Sequence, residues 1–137
     1  MGTVFTEITL LNAADKSKII EGQLKKEEAR SITVKAIVDT GAISLVINEE
    51  TRQKLGLGIW GEKSALLANG QRVIAKETDP VAVQWKDRET ACQALVIPDA
   101  RVVLLGAIPL EGLDLMVDPV NQKLAGVHGD KAEFILY

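Results

Sequence analysis

A mainly β fold with one or two short helices is what this sequence predicts, and three observations predict it. Short runs of Val, Ile and Leu recur between Gly, Asn, Asp and Pro turns, the spacing of an all-β barrel or sandwich. Hydrophobic residues fill 47% of the 137 positions but aromatics only 4%, so the core must be aliphatic, and its β-branched members favour strands. A clear set of helix start and stop signals occurs in one short stretch.

In order along the chain, Val4 to Leu11 alternates loosely and reads as a first strand. Asn12 to Lys16 is a polar connection, Ile19 to Leu24 a second strand, and the charged run Lys25 to Arg30 an exposed loop or hairpin end. Ser31 to Val38 is a strand that delivers Asp39 to a turn, and Ile43 to Ile47 continues beyond it. The helix follows: Asn48 caps it, Glu49 and Glu50 occupy the first turn where the helix dipole favours acids, and Gly56 ends it. Asn69-Gly70 is the strongest hairpin signal, joining strands on either side of Leu66 to Ile74. Val81 to Trp85 and Ala94 to Ile97 pair through the Lys86-Asp87-Arg88 connection. Val102 to Gly106 is an apolar strand, Pro109 to Leu115 a second short helix with Pro in its first turn, and Phe134 to Tyr137 an apolar tail. Trp60 and Trp85 read as packing residues.

A chain of this length makes one domain, residues 1–137. A formal charge of −3 excludes the basic excess of a nucleic-acid or anionic-membrane surface. No apolar stretch approaches the roughly 18 residues of a membrane span, and Met1 to Glu7 lacks the basic and apolar regions of a secretion signal. Gly2 followed by Thr6 fits a myristoylation pattern only loosely. Cys92 is the only cysteine, which suits a reducing cytoplasm. One Cys and one His, His128, make a poor metal set, and nothing in the sequence implies a cofactor. A cysteine hydrolase would have to pair Cys92 with His128. Asp79, Asp87, Asp99, Asp114, Asp118 and Asp130 sit in turn-like or solvent-facing contexts and receive no catalytic role.

The most informative motif is Asp39-Thr40-Gly41-Ala42, set between Ala36-Ile37-Val38 and Ile43-Ser44-Leu45-Val46-Ile47. A carboxylate at the end of an apolar strand is costly unless paired or hydrogen-bonded. Gly permits the turn, and Thr supplies a hydroxyl that can bridge to another loop. A Gly-bearing hairpin follows, and then the apolar Leu104-Leu105-Gly106 leads into a short helix.

This order resembles the retroviral-type aspartic proteases, the single-domain dimeric branch of the pepsin-like clan, and most closely its small cellular and prokaryotic members. The resemblance runs from about Val4 to Pro119. It implies a closed retropepsin-like barrel with one lobe per chain. In that family's scheme Asp39 is the catalytic carboxylate, Thr40 bridges the two active-site loops across the dimer axis, and Gly41 is the turn glycine. Ala42 is the small residue beside the substrate backbone, and Ala68, Asn69 and Gly70 form the flap that closes over a bound peptide. A single tip glycine departs from the glycine-rich viral flap.

The chemistry requires two carboxyls sharing one proton, because like charges about 3 Å apart cannot both ionise. The chain holds no second Asp-Thr-Gly or Asp-Ser-Gly, so a homodimer acting on a polypeptide is implied. The alternatives are a catalytically silent peptide-binding or structural β-domain of the same fold. The strand near Val4 and the tail are the candidate interface segments.

Overall fold

In the computed structural model, residues 3–136 are described; Met1 and Gly2 of the amino-terminal pattern and Tyr137 of the tail lie outside them. Nine strands are present among these residues: β1 (Val4–Asn12), β2 (Ser31–Val38), β3 (Leu45–Ile47), β4 (Ile59–Leu66), β5 (Arg72–Trp85), β6 (Arg88–Val96), β7 (Leu104–Leu105), β8 (Leu115–Asp118) and β9 (Lys123–Gly126). Three short α-helices, α1 (Ala13–Ile20), α2 (Glu49–Leu55) and α3 (Ala107–Gly112), accompany them, with a 3-10 turn at Lys26–Glu28.

Seven strands form one sheet in the order β1-β2-β7-β3-β6-β5-β4, and β1 also pairs antiparallel with β5. The pairing therefore passes through β2, β7, β3, β6 and β5 and returns to β1, while β4 extends outward from β5. β8 and β9 make a separate antiparallel pair. The enclosed core is aliphatic, as the composition requires: Ile8, Leu10, Leu45, Leu55, Val83 and Leu105 are all buried within one cluster. Each such side chain contributes about 1.5–3 kcal/mol on leaving water.

Local signals explain α2. Asn48 Oδ1 accepts the Thr51 amide at 2.8 Å, and Gly56 ends the helix with a left-handed backbone of φ 64°. The hairpin joining β4 and β5 turns at Asn69-Gly70, where Gly70 has φ 84°. β5 carries an irregularity between Glu77 and Pro80 in its register with β6, so its first half pairs with β4 and its second half also with β1.

Five expectations are corrected. The helices number three rather than one or two. The supposed connection Asn12 to Lys16 and second strand Ile19 to Leu24 are instead α1 and the turn after it. Asn12 caps α1 through the Ala14 and Asp15 amides at 2.9 and 3.2 Å, and Arg30 clasps buried Asp15 through its Nε and Nη2, both at 2.9 Å. That tertiary clasp overrides the strand preference of the Ile19-Ile20 pair. The apolar strand Val102 to Gly106 shrinks to Leu104–Leu105, because only these residues reach between β2 and β3. The second helix begins at Ala107 and ends at Gly112, two residues ahead of its expected start. Trp85 packs on the core and donates to Thr6 Oγ1 at 2.8 Å, but Trp60 is 63% exposed, its indole bonded to Asp79.

Candidate active site

The short strand β7 builds the site. It runs parallel to the end of β2, matching Val38 with Leu105, and antiparallel to β3, matching Leu45 with Leu105. The loop from Asp39 to Ser44 must therefore leave β2 on one side of β7 and enter β3 on the other. Its entry is pinned by the Asp39 amide donating to the Leu105 carbonyl at 3.0 Å. The Ala42 amide closes the turn on the Asp39 carbonyl at 3.1 Å.

Two of the loop's carbonyls serve α3. The Ala107 and Ile108 amides donate to the carbonyls of Ala42 and Ile43, both at 2.8 Å, satisfying helix amides that would otherwise lack partners. Gly106 makes this approach possible: a Cβ there would stand 2.4 Å from the Ser44 carbonyl oxygen and 2.6 Å from that of Ala42. The glycine is needed for closeness, since its φ of −90° is open to any residue.

Asp39 is half-buried, with Thr40 and Gly41 exposed beside it. Asp39 Oδ1 accepts the Gly41 amide at 3.0 Å, and no other hydrogen bond to this carboxylate forms among the described residues. A largely apolar cavity of about 370 Å³ opens next to it, lined by Thr3, Val4, Ile37, Val38, Asp39, Thr40, Val117, Pro119 and Gln122. The site thus holds one carboxylate on a rigid turn, with lone pairs free for water or a second acid.

The structure brings Asp39, Thr40, Gly41 and Ala42 together on this loop. It does not bring Ala68, Asn69 and Gly70 to the cavity; they form an exposed hairpin tip, where Asn69 Oδ1 accepts the Gln71 amide at 2.9 Å. Sequence reasoning missed Val117, Pro119 and Gln122. The signal was present, since the apolar Leu115-Met116-Val117 precedes Asp118-Pro119, a strand followed by a turn. Asp118 secures that turn by accepting the Val120 and Asn121 amides at 3.0 and 3.2 Å.

Asp114 is not solvent-facing, as its sequence context implied, but 6% exposed, with His128 Nδ1 2.9 Å from its carboxylate. His128 is therefore committed to Asp114, not to Cys92. Burial pushes the Cys92 thiol up to about 11, so it is protonated at neutral pH and poorly suited to attack. Among the described residues no cluster of three His, Cys, Asp or Glu side chains is placed to hold a metal ion, and no helix is long and apolar enough to cross a membrane.

Comparison with known proteins agrees with this geometry. The aspartyl protease family profile matches residues 22–108. The retroviral protease-like domain of Ddi1 from Leishmania major is 17% identical, with a TM-score of 0.55 over 91% of this chain and 88% of that one. A retropepsin-like aspartic protease from Rickettsia conorii is 22% identical over 85% of this chain and 88% of its own, with a TM-score of 0.48. No match is found among curated proteins.

Proposed function

Because the chain belongs to the aspartyl protease family, we propose that it is an endopeptidase that works as a homodimer, with Asp39 from each copy forming the catalytic pair. One observation carries this reading. Asp39 sits on a turn locked between β7 and α3, yet among the described residues its carboxylate accepts only the Gly41 amide, and it opens onto a cavity. In the dimer one Asp39 is ionised and takes a proton from a water, while the protonated partner polarises the scissile carbonyl. Thr40 and Gly41 shape the loop, and the exposed Thr40 hydroxyl is free to bridge to the other copy.

The peptide lies extended across the twofold axis, against Ala42 and beneath the hairpin tips formed by Ala68, Asn69 and Gly70. The exposure of those tips is consistent with an open flap. The subunits meet through the surface around the cavity, where Thr3 and Val4 lie beside the turn joining β8 and β9. The return of the strand pairing to β1 supports a closed barrel, one lobe and one domain per chain, and the single cysteine supports a cytoplasmic setting.

The test is light scattering beside a peptide-library cleavage assay from pH 4 to 7, with wild type and Asp39→Asn. A dimer whose cleavage vanishes in the variant bears the proposal out. A dimer that cleaves nothing points to a silent peptide-binding module, and a strict monomer overturns the shared-carboxylate mechanism.

A further inference from the structure

A second group of charges takes no part in the site above. Asp114 follows α3 with a left-handed backbone of φ 55°. Its carboxylate accepts the Glu133 amide at 3.1 Å and meets His128 Nδ1 at 2.9 Å through both oxygens. Arg88, at the start of β6, is also 6% exposed and lies 3.8 Å from the same carboxylate. Its guanidinium donates to the carbonyls of Leu113 and Asp114 at 3.0 and 2.7 Å and to that of Gly129. The Val127 amide donates to the Asp114 carbonyl at 2.9 Å. Residues 127–133 have neither helix nor strand, so these bonds strap the segment to the body of the fold.

The strap and the Asp39 turn hold opposite ends of one short rod. Arg88 grips the Leu113 carbonyl at the carboxyl end of α3, and the Ala42 and Ile43 carbonyls grip its first amides. A six-residue helix is only about 9 Å long, too short to absorb a displacement at one end without passing it to the other. We infer that His128 is a proton-operated lock on the strap, and that closing it steadies α3 and with it the Asp39 turn. The consequence for catalysis rests on reading Asp39 as catalytic; the lock itself does not.

The chemistry favours His128 as the operator. Imidazole is the side-chain type that ordinarily changes charge between pH 5 and 8. Protonated, His128 gives the buried Asp114 carboxylate a second cation; neutral, it offers at most a weaker N–H hydrogen bond, and the remaining cation, Arg88, directs its donors at carbonyl groups. The His128 side chain is 32% exposed and can exchange protons with water while the strap is shut. Of the other charged side chains on the packed elements, Glu89 on β6 bonds Lys16 and Gln84, Asp118 on β8 bonds Val120 and Asn121, and Glu111 lies on α3. Lys86 and Asp87 stand between β5 and β6, Lys123 on β9 and Asp130 in the strap. These four line a cavity of about 410 Å³ with Arg88 rather than bonding Asp114. Lys131 and Glu133 are exposed.

Hydrogen exchange of the full chain at pH 5.5 and 8, corrected for intrinsic rates, tests this in wild type, His128→Gln and His128→Arg. In wild type, opening of 127–133 should rise roughly fivefold at the higher pH, the scale of a partly exposed ion pair. The Ala107 and Ile108 amides should follow by a smaller factor. His128→Gln should stay open at both values and His128→Arg closed at both. A Gln variant that keeps the wild-type pH course overturns the lock. A strap that opens while Ala107 and Ile108 are unchanged overturns its link to the turn. No turnover is read, so a protein that cleaves nothing would refute the peptidase reading and leave this result standing.

Discussion

Asp39 and Asp114 each follow an apolar residue at the end of an element, and the fold treats them in opposite ways. Asp114 is enclosed, with His128, Arg88 and the Glu133 amide arranged about its carboxylate. Burial alone would raise its pKa, but the Glu133 amide, His128 and Arg88 together hold it below the ordinary carboxylate range. Asp39 is left half-exposed with, among the described residues, one hydrogen bond from Gly41. A carboxylate that holds structure has its lone pairs taken up, whereas one kept for chemistry must have them open. The difference between the two lies in their neighbours in space, not in sequence.

The sharpest way to break this contrast is Asp39→Asn. It should lower peptide cleavage by about 10⁴-fold, the scale of lost acid–base catalysis, while the urea midpoint stays in place, because Asn can still accept the Gly41 amide. Arg88→Ala should do the reverse in urea unfolding. It removes the bonds to Leu113, Asp114 and Gly129 and leaves Asp114 without its guanidinium, destabilising by about 3–5 kcal/mol. Gly106→Ala strikes the join between the turn and α3. The new methyl collides with the Ser44 and Ala42 carbonyls, costing about 1–3 kcal/mol, with the largest amide shifts at 42–44 and 106–108 in NMR spectra.

The smallest effect concerns a third aspartate, Asp15, which resembles Asp114 in being structural. A side-chain hydrogen bond from Arg30 leads the forces that lower its pKa from 3.8 to about 2. A depressed carboxylate stabilises the fold above its unfolded value, and that contribution is lost as pH falls through the folded one. Stability should therefore decline between about pH 4 and 2, and Asp15→Asn should flatten this acid limb in thermal melts.

Much of the fold was legible where its causes are local. Asn48 and Gly56 marked α2, Asn69-Gly70 marked the β4–β5 hairpin, and the aliphatic composition foretold the core. α1 was missed because its decisive partner, Arg30, lies beyond the helix, and Ile19-Ile20 carried a strand preference that tertiary contacts overrode. The turn of the candidate site was legible in Asp39 to Ala42, since a turn after an apolar strand needs no distant information. Val117, Pro119 and Gln122 were missed because only folding brings them beside Asp39.

By itself, then, the sequence determined a mainly β aliphatic domain and an Asp-Thr-Gly-Ala turn at the end of a strand, because caps, turns and apolar runs act between neighbours along the chain. Tertiary structure alone decided that two residues of β7 would hold that turn, that Gly106 would lie under the Ala42 and Ser44 carbonyls, and that Asp114 would be buried against Arg88 and His128. Those outcomes depend on long-range strand pairing and burial, which set how many hydrogen bonds each carboxylate receives and so which one keeps its lone pairs open.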